Sequence, residues 1–134
     1  MTVKSSYWPE DLIIAEPPSQ KTPARFLEEI AQELPGQTEG LLRAEVEEGS
    51  WGEYLVYDFV VVAPALDDYA YRLFKVRHRL APYPAEIIHG GRVAKAAGPG
   101  AFEERLRTIL AAAETRRAIS ELLLYSRERR QRAA

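Results

Sequence analysis

Near residue 40 the apolar residues change their spacing from every third or fourth position to every second position. Between Phe26 and Leu34 they recur as they would on one face of a helix, and between Leu42 and Val46 they alternate with charged residues. A helix that packs by one face shows a period of 3.6 residues, whereas a half-buried strand shows a period of 2. The sequence therefore predicts a helix followed by a sheet.

The predicted first helix spans residues 22–35. Thr22 is a suitable N-cap, because its hydroxyl can accept a hydrogen bond from a backbone N–H of the first turn. Pro23 suits the first helical position, and Pro35–Gly36 indicates the end of the helix. Residues 1–21 contain three prolines and are predicted to form an extended arm, which packs on the domain or on a partner.

Residues 40–93 are predicted to form a four-stranded antiparallel meander, because glycine and proline turn signals separate its alternating segments. Residues 101–130 have helical spacing, with a break expected near Glu114–Thr115, where two apolar stripes are out of phase. The predicted fold class is α+β: an N-terminal helix, a four-stranded antiparallel sheet and one or two C-terminal helices on one face. We expect residues 1–134 to form a single domain.

Turn lengths predict the strand pairing. The first hairpin closes with Glu48 opposite Glu53, and the second with Ala63 opposite Tyr69. In this register one sheet face is apolar throughout and is predicted to pack against the helices. We expect the N-terminal arm or a second copy of the chain to cover the other face, because an apolar patch of this size is rarely left in water. The apolar residues predicted on that outer face are Val56, Val60, Val62, Phe74, Val76 and Ile88.

Composition limits the classes of function. The chain has 134 residues, of which 46% are hydrophobic, and this suffices for the core of one domain. The absence of cysteine excludes disulfides, thiolate metal sites and cysteine nucleophiles. The longest apolar run is too short for a transmembrane helix, and the first residues lack the apolar segment of a signal peptide. We therefore expect a cytoplasmic protein that does not associate with membranes.

Asp58 is the most unusual polar residue, because it lies in the middle of the strongest predicted strand. Carboxylates are depleted at such positions and need partners there. The predicted register places Arg43 directly across from Asp58 and Arg72 diagonally on the other side. We interpret these three residues as a polar cluster that forms an ion-pair ladder between strands. The alternative is an enzyme that uses them on a phosphate-bearing substrate.

The order of the elements invites comparison with the PD-(D/E)xK nucleases, in which an acid on a central strand and a Glu-x-Lys on the next strand hold a divalent metal. Asp58 would stand for the first acid. The next strand, however, has no carboxylate two positions before Lys75. His78 and His89, the only histidines, lack suitably spaced ligands or nucleophiles. No catalytic residue, metal site or cofactor is therefore predicted.

Two surface features are candidates for partner binding. Residues 115–134 hold six arginines and two glutamates, although the whole chain has a net charge of −2. The candidate anion-binding residues in this segment are Arg127, Arg129, Arg130 and Arg132. We interpret them first as a solvated helix end, with phosphate contacts as the alternative. The candidate protein interface consists of Trp8, Trp51, Tyr54, Val56, Val60, Phe74 and Val76.

The sequence as a whole predicts a non-catalytic binding module that acts through protein–protein contacts, with a homodimer as one form. The prediction depends on the second apolar sheet face, on the aromatic residues of the arm and first turn, and on the lack of a catalytic or metal-ligand set. The alternatives are a nuclease-like or other phosphate-substrate enzyme centred on Asp58, and nucleic-acid binding through the arginine-rich C-terminus.

Overall fold

The computed structural model describes residues 7–9 and 20–133, and within them one helix precedes a five-stranded sheet and two further helices. The elements are α1 (Pro23–Gln37), β1 (Arg43–Trp51), β2 (Tyr54–Ala63), β3 (Tyr69–His78), β4 (Ala85–His89), β5 (Arg92–Ala96), α2 (Pro99–Ala111) and α3 (Ala113–Ala133). A single 3-10 turn, Pro64–Leu66, lies between β2 and β3. The predicted α+β class is confirmed. Most of the predicted N-terminal arm lies outside the described residues.

Helix α1 begins where predicted and ends two residues later than predicted. The Thr22 hydroxyl accepts a hydrogen bond from the Arg25 backbone N–H at 3.4 Å, and Pro23 occupies the first helical position. Pro35 lies inside the last turn and does not end the helix. At that position a proline removes only one backbone hydrogen bond, and the turn continues around it to Gln37.

Thr38 joins the end of α1 to the start of the sheet. Its hydroxyl donates a hydrogen bond to the Leu34 carbonyl at 2.9 Å and accepts one from the Leu42 backbone N–H at 3.2 Å. Backbone groups at a helix end need such partners when they are buried. Together with the backbone hydrogen bonds of the same turn, this side chain holds the junction between α1 and β1.

All five strands are antiparallel and lie in chain order, so the predicted meander is correct but its strand count was one too low. The additional strand, β5, lies mostly beyond residue 93, the predicted end of the sheet. Gly90 and Gly91 form a two-residue turn between β4 and β5, with φ values of 58° and 77° that favour glycine and are typical of tight hairpins. The sequence of β5 contains a single β-branched residue, Val93, so its low β-strand propensity did not indicate a strand.

The β1–β2 hairpin is longer than predicted. Strand β1 runs to Trp51, and the turn consists only of Gly52–Glu53. Ala44 therefore lies beside Val61, four positions along β2 from its predicted partner Tyr57. Because side chains alternate between the two faces, an even shift leaves each residue of β1 on its predicted face. The faces were thus correct although the cross-strand partners were wrong.

A β-bulge in β3 reverses the faces in the second half of that strand. Phe59 pairs with Phe74 instead of the predicted Leu73, whereas the pairs nearer the turn are as predicted. The extra residue on β3 shifts its alternation by one position. Phe74 and Val76 consequently point towards the helices and are buried in the core. The prediction that these two residues lie on the outer face was wrong.

The C-terminal helical region breaks at Ala112, close to the predicted position. Ala112 has an extended backbone, and the Thr115 hydroxyl donates a hydrogen bond to the Ile109 carbonyl across the break at 2.7 Å. The break separates the two helices, so that α2 packs against β5 and α3 against the 3-10 turn after β2. Among residues 20–133, no helix is both long and apolar enough to cross a membrane.

The core lies between the inner sheet face and the three helices. Phe102 of α2 contacts Phe26 of α1, with 5.7 Å between the ring centroids, and Tyr83 of the β3–β4 loop, with 6.0 Å between them. Such tilted aromatic pairs add specific geometry to the burial of apolar surface. The largest fully buried apolar side chains are Leu27, Leu42, Phe59, Val61, Val76, Ile87, Phe102 and Leu106.

Candidate functional site

The outer sheet face, turned away from the helices, carries a groove of 510 Å³ near the β1–β2 hairpin. Trp51 borders it, and the half-buried Val56 and Ile88 supply its apolar part. Apolar residues surrounded by charged ones are the usual composition of a protein contact surface. We call this surface the outer groove; the side chains that line it include Glu47, Trp51, Val56, Asp58, Lys75, Arg77 and Ile88.

Trp51 is an exposed aromatic residue at the border of the outer groove. Its side chain is 70% exposed, although it is the last residue of a paired strand and lies opposite Tyr54. A large aromatic side chain held in solvent by a rigid hairpin is typical of a binding anchor. Trp8, the other predicted aromatic anchor, is also exposed, and the residues on both sides of the segment 7–9 lie outside the described part.

Tyr54, also predicted to be in the interface, makes cation–π contacts with two arginines. The guanidinium carbons of Arg77 and Arg79 lie 5.0 and 5.5 Å from the centroid of its ring. Arg77 in addition donates a hydrogen bond to the Glu86 carboxylate at 2.7 Å. Cation–π contacts of this kind stabilise a partly exposed ring. Tyr54 therefore helps to fix the hairpin that presents Trp51.

The predicted polar cluster is only partly formed. Arg72 donates a hydrogen bond to Asp58 at 3.4 Å, as expected. Arg43 instead pairs with Glu45 at 3.0 Å and with Asp68 at 3.5 Å. The longer hairpin moves Arg43 four positions along β2, away from the carboxylate of Asp58. The prediction that Arg43 belongs to the cluster was wrong.

Lys75 and Arg77 belong to the outer groove but were missed. The positions directly across from Asp58 are those of Glu47 and Lys75. With Glu48 and Arg77, three acids and two bases lie among the lining residues. In the predicted register Lys75 belonged to the inner face, and the bulge moves it outward. The adjacent apolar residues Leu73 and Phe74, at which the apolar positions change from odd to even, were the signal that could have revealed the bulge.

Three residues of the predicted interface are not accessible. Phe74 and Val76 belong to the core, and Val60 is only 6% exposed. Val60 and Val62, which is 3% exposed, lie on the outer face and outside the core cluster. A single copy of the chain thus closes this end of the outer face. The expectation that the N-terminal arm covers it concerns residues outside the described part.

His78 and Tyr57 form a buried polar pair on the inner face. The Nδ1 of His78 donates to the Arg79 carbonyl, so in the neutral ring Nε2 is an acceptor, and the Tyr57 hydroxyl donates to it at 3.2 Å. Burial, and to a smaller extent the negative charge of Glu48, raises the pKa of Tyr57. Each group is satisfied by the other or by backbone, as expected for a structural pair. Within residues 7–9 and 20–133, no group of three or more acids and histidines could hold a metal ion.

The four candidate anion-binding arginines lie in the last turns of α3 and do not form one patch. Successive helical residues are rotated by about 100°, so Arg127, Arg129, Arg130 and Arg132 point in different directions around the helix. Arg129 pairs with Asp67 at 3.4 Å. The four positive charges are therefore distributed around the helix and do not form one basic surface.

Tertiary structure thus brings together Trp51, Val56, Asp58 and two basic residues of β3, and it separates them from Arg43, Phe74 and Val76. Comparison of the chain with protein-family models, with curated proteins and with solved structures found no match.

Proposed function

We propose that this domain is a non-catalytic protein-interaction module that binds its partner through the outer groove. The observation that carries the proposal is the position of Trp51, 70% exposed at the border of a groove whose apolar part is Val56 and Ile88. Aromatic side chains bury about 150–250 Å² each, at about 25 cal/mol per Å² of apolar area. A partner that covers the Trp51 ring would therefore gain several kcal/mol.

The charges of the outer groove favour self-association as the first form of this interaction. Glu47 and Asp58 lie on the side of β1 and β2, whereas Lys75 and Arg77 lie on the adjacent strand β3. In a two-fold symmetric dimer each patch contacts the same patch of the other copy. Such a rotation can place the acids of one copy against the bases of the other, with the two Trp51 rings near the axis.

The alternatives use other residues and have weaker geometric support. An enzyme centred on Asp58 would have Arg72 but not Arg43 beside the carboxylate. Nucleic-acid binding would depend on arginines that point in several directions around α3. Neither arrangement offers the convergent polar groups that a phosphate site needs.

Size-exclusion chromatography with light scattering, at low and high salt, tests the proposal. The wild-type chain is expected to elute with twice the monomer mass of 15.1 kDa, and Trp51→Ser with the monomer mass. Leu80→Ser is the matched control, because it removes another exposed apolar side chain, from the β3–β4 loop. It is expected to leave the dimer intact.

A wild-type monomer at about 100 μM, well above the Kd range of specific homodimers, would contradict self-association. A photo-crosslinking amino acid at position 51 would then test a different protein partner, and the absence of any crosslinked protein in native extract would overturn the interaction module itself. Nucleic acid that co-elutes at low salt, and is lost when residues 126–134 are deleted, would favour the arginine-rich alternative.

A further inference from the structure

A second groove, of 520 Å³, lies on the inner side of the sheet between α3 and the first half of β3. Tyr69 and Tyr71 of β3 border it on one side and Tyr125 of α3 on the other, and their side chains are 53%, 41% and 51% exposed. Tyr71 pairs with Val61, and Tyr69 pairs with Ala63, so both tyrosines lie on the face that the helices cover elsewhere. The packing of α3 leaves this part uncovered.

The charged residues of this groove come from one face of α3. Glu114, Arg117, Glu121 and Tyr125 are spaced three or four positions apart, and all of them line the groove. Neither glutamate has an ion-pair partner among residues 7–9 and 20–133. With one guanidinium against two carboxylates, the groove has a net charge of −1. We call the surface made by Tyr69, Tyr71, Glu114, Glu121 and Tyr125 the tyrosine groove.

Electron-rich ring faces beside carboxylates select for cations. The face of a tyrosine ring attracts a cation within about 6 Å of its centroid, and desolvation strengthens the attraction. Guanidinium groups are especially suitable, because they stack flat on aromatic rings and can also donate paired hydrogen bonds to a carboxylate. An anionic ligand would meet two carboxylates against the single guanidinium of Arg117.

We propose that the tyrosine groove binds an arginine side chain presented by a protein partner. The guanidinium lies among the three tyrosine rings and donates hydrogen bonds to Glu114 or Glu121. The ion pair between Arg129 and Asp67 shows that the adjacent loop also accepts a guanidinium. This inference concerns a different surface from the outer groove and does not depend on it.

Nuclear magnetic resonance of the full chain, with labelled tyrosines, tests the proposal. The probe is the peptide acetyl-Gly-Ser-Arg-Ser-Gly-amide, and the matched control peptide has citrulline, which has the same shape without the charge, in place of arginine. The arginine peptide is expected to shift the ring resonances of Tyr69, Tyr71 and Tyr125. The citrulline peptide is expected to bind at least about fivefold more weakly, because the cation–π attraction is lost at several rings.

Protein variants locate the site. Tyr125→Ala and Glu121→Gln are each expected to weaken binding of the arginine peptide by about two- to fivefold, which corresponds to one cation–π contact or one exposed charge pair. Leu124→Ala removes an exposed neighbour that does not line the groove, and Trp51→Ser alters the outer groove; both are expected to leave binding unchanged. Equal binding of the two peptides, or full binding by Tyr125→Ala, would overturn the proposal.

Discussion

The rings of Phe59 and Phe74 stack with their centroids 5.0 Å apart and their planes within 5° of parallel. This contact exists because the bulge in β3 turns Phe74 inward, opposite Phe59, so that both rings lie in the core. In the register without a bulge, Phe74 would have been a surface residue of the outer face. The stack therefore decides which residues of β3 a partner can reach.

Replacement of Phe74 is expected to destabilise the fold. Phe74→Ala removes a buried ring and with it the stacking contact to Phe59. The substitution should lower the free energy of unfolding by about 3–5 kcal/mol. Trp51→Ala, at a residue that the sequence grouped with Phe74, should change it by less than about 0.5 kcal/mol, because Trp51 is exposed. Urea denaturation followed by circular dichroism measures both. Equal effects of the two substitutions would contradict the bulge.

Asp58 should couple energetically to Arg72 and not to Arg43. A double-mutant cycle with Asp58→Asn and Arg72→Gln should give a coupling energy of about 0.2–1 kcal/mol, as for other exposed ion pairs. The same cycle with Arg43→Gln should give a value near zero, because Arg43 pairs with Glu45 and Asp68. Coupling of Asp58 to Arg43 as strong as its coupling to Arg72 would restore the predicted ladder.

Tyr83 should make the fold sensitive to alkaline pH. Its hydroxyl donates to the Lys21 carbonyl at 2.6 Å, and burial raises the pKa of Tyr83 to about 12 from an ordinary value of 10.0. Because the folded state holds this proton more tightly than the unfolded state, the stabilisation is complete below pH 10 and disappears as the pH rises towards 12.

Denaturation curves between pH 8 and pH 12 test this dependence. Below pH 10, Tyr83→Phe should be less stable than the wild type by about 1 kcal/mol, because the hydrogen bond to Lys21 is lost. Between pH 10 and pH 12, the variant should lose less stability than the wild type, because it has no hydroxyl to ionise. Tyr69→Phe, which removes the same hydroxyl from an exposed ring, is the control. Parallel curves for wild type and Tyr83→Phe over this range would rule out the predicted linkage.

Two glycine substitutions should have opposite effects. Gly91 has φ 77° in the turn before β5, so Gly91→Ala forces a strained backbone and should cost about 1–2 kcal/mol. Gly36 lies inside α1, and no heavy atom lies within 4 Å of the place that an alanine Cβ would occupy, so Gly36→Ala should stabilise the fold by about 0.5–1 kcal/mol. Thermal unfolding measures both. A neutral Gly91→Ala would argue against the β4–β5 hairpin.

Local signals in the sequence were sufficient to predict the elements whose structure depends only on residues close to one another in the chain. The period of the apolar residues gave α1, β2 and the α+β class, and the Thr22–Pro23 pair gave the start of α1. The interrupted stripe gave the break at Ala112 to within a few residues. Each of these features arises from the backbone and side chains of a short segment, so a short segment is enough to reveal it.

The candidate site was predicted in part for the same reason. Trp51 and Asp58 could be chosen because an exposed aromatic residue near a turn and a carboxylate inside a strand are unusual wherever the strands pair. Lys75 and Arg43 were misplaced because their positions relative to Asp58 depend on the register of two hairpins. A one-residue change in that register moves a side chain to the opposite face.

The sequence by itself determined the order and type of the elements, since these follow from local periodicity, capping and turn residues. Only the tertiary structure decided the four-residue register shift of the first hairpin, the bulge beside Phe74, the pairing of β5 and the uncovered tyrosines along α3. Each of these depends on contacts between residues distant in the chain. Their energies are set by how well whole strands and helices pack against one another, which no single segment encodes.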